Sequence, residues 1–272
     1  MRYFFALLLA ASLTGIGLSP AADPAKAKPR LQILVPAYFY PAKDKTIDGE
    51  KEWDKLFVAS DRAPIIAIVN PGNGPGKGVD ANYAKLFVKA KKYKKITLIG
   101  YVHTTAGARP LSEVKADVDL WLKLYPGIQG IFIDEQASGA DKLDYYTELY
   151  KYIRAKPRLK LVVSNPGTIC DEKYLSAPAT DAVCLFENRQ PIATAAFPDW
   201  VAKYSPSRIA SLSYANATPA SMREGLEKAL EKKIGLIYVT DTSTGNVWGR
   251  LPTYWPEEVE LVRKANLPAK KP

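Results

Sequence analysis

Short apolar runs rich in β-branched residues recur along this chain at intervals of roughly thirty residues, the length of a βαβ unit. They fall at residues 31–40, 65–70, 96–103, 128–134, 159–165, 182–187, 208–214 and 234–241. Stretches with helical periodicity lie between and after them, at 80–93, 112–125, 142–154, 219–232 and 255–265. Thr218 followed by Pro219 reads as the N-cap and first helical position of the fourth of these. Runs that are apolar throughout belong to strands buried on both faces. Strict alternation of such strands with helices predicts a parallel sheet clothed by helices. Eight units in 272 residues predict a (β/α)8 TIM-type barrel forming a single domain. An open doubly wound sheet is the alternative, but no Gly-rich phosphate fingerprint follows the first run. Asn70-Pro71-Gly72-Asn73-Gly74-Pro75-Gly76 has no Lys-Ser/Thr ending, and its prolines remove the donors a phosphate cradle needs. It reads as a shaped βα loop.

The chain divides into four expected parts. Residues 1–21 have the form of a cleaved signal peptide: Arg2, an apolar core from Phe4 to Leu18, then small residues around Ala21 and Ala22. Residues 22–30 form a flexible basic tail, 31–267 the barrel and 268–272 a C-terminal tail. The apolar core is too short for an anchor and no later run reaches spanning length, so no stable membrane insertion is expected. The protein is expected to be secreted or held in the periplasm or cell envelope, and to be a monomer.

The formal charge is +10, but Arg2, Lys26, Lys28, Arg30, Lys270 and Lys271 all lie outside the predicted barrel. The densest basic run, Lys89-Ala90-Lys91-Lys92-Tyr93-Lys94-Lys95, reads as a solvated helix end, where cations suit the dipole. No nucleic-acid motif accompanies it, and no nucleic-acid partner is expected. Net charge favours retention near anionic cell-surface polymers. Cys170 and Cys184 are compatible with a disulfide in an oxidising compartment and equally with two small buried apolar residues.

The residues that close the strands of a barrel converge on one face. Here they are Tyr38 and Tyr40, Asn70, Tyr101 and His103, Asp134 and Glu135, Asn165, Glu187, Tyr214, and Asp241. Tyrosines, amides and carboxylates are the inventory of a sugar-binding cleft: aromatic faces stack on pyranose rings while the polar groups bind hydroxyls. Each also has a local explanation, because Asn and Asp commonly cap the next turn or helix. Alternation divides the acid pair. With Gly130 and Phe132 inward, Asp134 points into the mouth and Glu135 toward the neighbouring loop, where it either supports substrate or caps the following helix. The same parity, applied to the sixth run, places Val183 and Leu185 inward with Glu187. Two carboxylates from two strand ends are the minimum equipment for acid/base hydrolysis of a sugar–sugar bond. The chain has one histidine, His103, so metal-ligand clusters and a Ser-His-Asp triad both lack residues. No metal and no cofactor is expected, and a metal-dependent deacetylase is remote. His103 is either a substrate ligand or a satisfied polar residue.

Val35-Pro36-Ala37-Tyr38-Phe39-Tyr40-Pro41, the 68–76 segment and Gly100-Tyr101-Val102-His103-Thr104 resemble spherulation-specific family 4 (spherulin-4-like) proteins. So do Gly130-Ile131-Phe132-Ile133-Asp134-Glu135, Ser164-Asn165-Pro166-Gly167-Thr168 and Phe186-Glu187, in the same order. That family is similar to glycoside hydrolase family 135, fungal barrel enzymes that cut galactosamine-containing exopolysaccharide. The resemblance implies a (β/α)8 fold and carboxylate catalysis, with the family's acidic pair falling on Asp134 and Glu135 and its second acid on Glu187. The expected activity is endo-acting, metal-independent hydrolysis of a polysaccharide, with Asp134 as nucleophile or stabiliser and Glu187 as general acid/base. Tyr38, Tyr40, Asn70, Tyr101, His103, Asn165, Tyr214 and Asp241 are the expected substrate-binding residues. A basic protein repels a strongly cationic polymer, which favours a neutral, N-acetylated or mixed-charge glycan. The alternative is a non-catalytic glycan-binding or spore- or envelope-associated protein on the same barrel. Retention and inversion are both open at this level.

Overall fold

The structure, a computed structural model, describes residues 31–189 and 191–268. The expected signal peptide, the basic tail at 22–30 and nearly all of the C-terminal tail lie outside these described residues.

Eight parallel strands close into a barrel in sequence order. They are β1 (Gln32–Ala37), β2 (Ile65–Val69), β3 (Ile96–His103), β4 (Gly130–Asp134), β5 (Leu161–Asn165), β6 (Ala182–Asn188), β7 (Ile209–Ser213) and β8 (Leu236–Val239). Around them run α1 (Gly49–Ser60), α2 (Ala81–Ala90), α3 (Leu111–Leu124), α4 (Leu143–Arg154), the single-turn α5 (Lys173–Ser176), α6 (Pro219–Glu231) and α7 (Trp255–Ala265). Buried strand and helix residues form one continuous hydrophobic core, inside the barrel and between barrel and helices. Three helices, α1, α2 and α6, start where a side chain satisfies a free N–H group. Asp80 caps α2 by accepting from the backbone of Asn82 and Tyr83. Thr218 and Ser221 form a reciprocal capping box on α6, with Pro219 in its first turn as the sequence predicts.

The alternation is not strict. Among the described residues between β6 and β7 there is no α-helix but three 3-10 turns, Ile192–Thr194, Asp199–Lys203 and Pro206–Arg208. Pro191, Pro198 and Pro206 break that segment too often for a continuous i→i−4 ladder.

The seam between β8 and β1 is short, pairing only Gln32 with Leu236 and Ile33 with Ile237. Above it the Val239 N–H is met by Glu258 Oε1 of α7 at 3.0 Å. Glu258 is fully buried, its Oε2 has no partner, and burial pushes its carboxyl up to about 8. A protonated carboxyl fits such a site, because an unpaired buried charge is far costlier than a neutral acid. The start and the finish of the barrel's chain are stitched by Asn266, which accepts from the Leu31 N–H at 3.1 Å and donates to the Leu31 carbonyl at 2.8 Å.

Candidate active site

Residues paired across parallel strands share a face of the sheet. His103, Asp134 and Asn165 are register partners across β3, β4 and β5, so they stand at one level on one face. Asn165 defines that face as the barrel mouth. Its Nδ2 donates to Asp134 Oδ1 at 2.7 Å and to Glu187 Oε2 at 2.6 Å, and its Oδ1 accepts from the Gly167 N–H at 3.0 Å. Three adjacent strand ends thus deliver acid, amide and acid to one point.

Glu187 reaches this point by a route that parity does not predict. On β7, Ala210 and Leu212 share a face, and their β6 partners are Cys184 and Glu187, three residues apart. A regular strand cannot place residues three apart on one face. The register shifts between Cys184 and Phe186, a β-bulge that takes up one residue and re-aims the rest of the strand. The residue inward below Glu187 is therefore Cys184, whose fully buried thiol feels the charges of both Glu187 and Asp134. Val183, register partner of Ser164, lies on the other face, which corrects the inward row expected from sequence. Cys170 and Cys184 are both free and buried, so they serve as small core residues without a disulfide.

Burial raises the pKa of both acids, but their other neighbours differ. Around Asp134, burial and, more weakly, the Glu135 charge act against hydrogen bonds from the Tyr101 hydroxyl, the Asn165 amide and the Glu135 N–H, all of which favour the anion. Around Glu187, burial is joined by the Asp134 charge, and only the Asn165 amide and the Trp248 indole work the other way. Asp134 is thus the better-supported carboxylate and Glu187 the better proton holder. The Tyr38 and Tyr101 rings meet edge-on at 5.9 Å, and burial first and the nearby acids second push both phenols up, keeping them neutral donors.

A model of spherulation-specific family 4 matches residues 32–262. The chain belongs to this family. It is 31% identical to spherulin-4 of Physarum polycephalum over 277 aligned residues, covering 97% of this chain and 78% of that protein. Its fold is similar to the crystal structure of Aspergillus clavatus Sph3 in complex with GalNAc, with a TM-score of 0.71 and 27% identity over 86% of this chain and 98% of that one.

In this family member several strand-end residues are drawn into the cluster and others are not. Glu135 leaves the strand row: at φ 53° its backbone is left-handed, which costs a non-glycine residue about 1 kcal/mol or more. The turn directs its N–H back to Asp134, while its own Oε2 accepts from the Thr105 N–H at 3.1 Å and lies 4.0 Å from His103 Nδ1. His103 Nδ1 is buried and makes no hydrogen bond. Asn70 shapes the loop after β2 by accepting from the Gly74 N–H at 2.9 Å. Tyr214 packs edge-on against Trp248, with ring centres 5.8 Å apart. Tyr40 stands outside the cluster, on the surface at the start of α2, where its hydroxyl donates to Asp80 and accepts from Asn82. Asp241 is likewise committed elsewhere: Thr253 and Arg250 hold its carboxyl below the ordinary value despite its burial. It fastens the loop between β8 and α7.

That loop carries the residue the sequence reading missed. Trp248 donates its indole N–H to Glu187, and its carbonyl accepts from the Tyr38 N–H at 3.3 Å, joining the first and last strands over the mouth. A lone bulky aromatic in a Thr-Gly-Asn loop after the last strand was the available signal. Among the described residues, no group of three or more His, Cys, Asp or Glu side chains is arranged to hold a metal ion, and no helix is long and apolar enough to cross a membrane.

Proposed function

We propose that this protein is an exported, endo-acting glycoside hydrolase that cleaves a polysaccharide containing N-acetylgalactosamine or a related sugar, working as a retaining enzyme. The carrying observation is the Asn165 amide shared by two carboxylates. Bonds of 2.7 and 2.6 Å from one nitrogen mean the two acceptor oxygens are no farther apart than the sum of those lengths. That ceiling on the nearest oxygens lies close to the carboxyl spacing of about 5–5.5 Å in retaining glycosidases, which favours retention.

In this mechanism Asp134 attacks the anomeric carbon while Glu187 protonates the departing glycosidic oxygen. The C–O bond breaks and a glycosyl ester on Asp134 forms. Glu187, now a carboxylate, takes a proton from water, whose oxygen displaces Asp134 and restores both groups. Tyr101 donates to Asp134, and Tyr38 beside it donates to substrate oxygens. Tyr214 and Trp248 supply aromatic faces, and His103, Asn70 and Glu135 border the cleft. The sugar class rests on the likeness to Sph3, whose structure holds GalNAc. Export rests on the form of residues 1–21, and the protein acts as a monomer.

The test is digestion of N-acetylgalactosamine-containing polysaccharide by purified protein, with the anomeric configuration of new reducing ends followed by NMR. Retained configuration, abolished by Asp134→Asn and by Glu187→Gln, is expected. Inverted product overturns the assigned roles, and binding without product by the intact protein leaves the non-catalytic glycan-binding reading instead.

A further inference from the structure

The mouth uses none of the basic residues that give this chain its charge. Many of them gather at the opposite end. A pocket of about 770 Å³ opens there, at the N-terminal end of the strands, with Gln32, Thr97, Leu161 and Leu236 among the residues at its floor. Arg154, Arg158, Lys160 and Arg208 line it against a single carboxylate, Asp181.

Two of these cations are fixed in place chiefly by backbone carbonyls. Arg208 donates from Nε and Nη2 to the carbonyls of Asp181, Leu175 and Thr180 at 3.1, 3.1 and 3.2 Å, and Arg154 donates to the carbonyls of Leu159 and Lys160. Asp181 is largely spoken for, accepting from the Val162 N–H and the Tyr150 hydroxyl at 2.8 Å each and lying 3.8 Å from Arg154. Arg158 and Lys160, on the exposed turn before β5, have no ion-pair partner among the described residues.

The positive tract continues beyond the pocket. The turn between α2 and β3 exposes Lys91, Lys92, Lys94 and Lys95, also without ion pairs among the described residues. A second pocket lined by Lys91 and Lys94 shares Gln129 with the first, and a third is lined by both Lys91 and Arg158. Two basic turns therefore meet along one end of the barrel. This is the run at 89–95 that the sequence alone leaves as a solvated helix end.

We propose that this end of the barrel is a second binding surface, separate from the cleft, that holds an acidic polysaccharide whose sugars bear carboxylates. Guanidinium forks match carboxylates in a planar, two-pronged geometry, and fixed arginines lose little freedom on binding. A repeating chain of carboxylates fits a tract of spaced cations better than a single small anion does. Bound by this end, the protein turns Asp134 and Glu187 away from the anionic polymer, so adhesion and hydrolysis do not compete for one surface.

The test is binding of polygalacturonate to the full-length protein by calorimetry at about 0.1 M salt, where charges beyond about 10 Å are screened. Arg158→Glu with Lys160→Glu is expected to weaken binding at least about tenfold. Lys45→Glu with Lys77→Glu makes the same change in net charge among exposed residues of the βα loops and is expected to leave affinity within about twofold. Asp134→Asn is expected to change nothing. Equal losses in the two double variants mean diffuse net charge and overturn the proposal. So does an absence of binding, a loss in Asp134→Asn, or tighter binding of single-stranded DNA than of polygalacturonate.

Discussion

Asp134 and Glu187 accept hydrogen bonds from the same nitrogen, the side-chain amide of Asn165. One neutral group therefore mediates between two acids that repel each other when both are ionised. Burial has already raised both carboxyls, so each remains protonated to a higher pH than an exposed acid does.

Replacing either acid is expected to reduce kcat by about 10²–10⁴-fold with little change in KM. The same replacements should stabilise the fold. A carboxyl raised by folding binds its proton more tightly in the native state, so its contribution to stability is full at low pH and lost as pH rises through the folded value. Asp134→Asn and Glu187→Gln should each raise Tm at pH 7–8, with the gain vanishing toward pH 4. Calorimetric scans across that range measure it.

Asn165→Ala removes a donor that favours both anions. Both limbs of the bell-shaped pH profile of kcat/KM should therefore move to higher pH, the basic limb because Glu187 holds its proton longer. An unchanged profile with a uniformly lower rate would mean that Asn165 only shapes the loop at Gly167.

Trp248→Phe keeps a ring beside Tyr214 but removes the indole donor to Glu187. Only the basic limb should move upward, with kcat/KM falling about tenfold. Trp248→Ala also empties a buried site and should cost about 3–5 kcal/mol of stability, readable in urea titrations.

A β-carbon on Gly100 of β3 would stand 2.5 Å from the Trp121 ring, whose indole N–H donates to the Tyr101 carbonyl at 2.8 Å. Gly100→Ala should cost about 1–3 kcal/mol. Because the displaced strand carries Tyr101 to Asp134, kcat should fall as well, although no site residue is altered.

Glu258→Gln keeps the acceptor for the Val239 N–H without an ionisable group. The wild-type carboxyl is raised to about 8, so wild-type stability should decline as pH climbs from the ordinary carboxyl range toward 8. Above pH 8 the Gln variant should be more stable by at least about 1 kcal/mol. Parallel curves for the two proteins would sink the assignment of a neutral Glu258.

How far the sequence reached can be judged residue by residue. The barrel was legible because each strand is a continuous apolar run and amphipathic stretches, one of them announced by Thr218-Pro219, lie between the runs. Asp134 was legible because simple alternation from Gly130 and Phe132 holds to the end of β4. Glu187 was identified through a row that the bulge rearranges, since nothing in Cys184-Leu185-Phe186 advertises an extra residue. Tyr40 and Asp241 occupy strand ends, but strand-end position does not say whether a side chain is already used by a neighbouring cap or loop. Trp248 escaped notice because loop residues have no periodicity to point their side chains. The missing helix between β6 and β7 was written in its prolines and was overridden by the expectation of a regular repeat.

The bulge at Leu185 makes the face on which Glu187 stands a matter of register. Straightening the strand there, with Leu185 taken into the ladder and no residue lost, would leave every acid, amide and aromatic in the sequence and turn Glu187 to the helix-facing side of the sheet. The product would be a barrel with an intact motif list, one carboxylate in its mouth and no means of turnover. The side that Glu187 faces is therefore set by strand register, a quantity that residue-by-residue motif matching does not read.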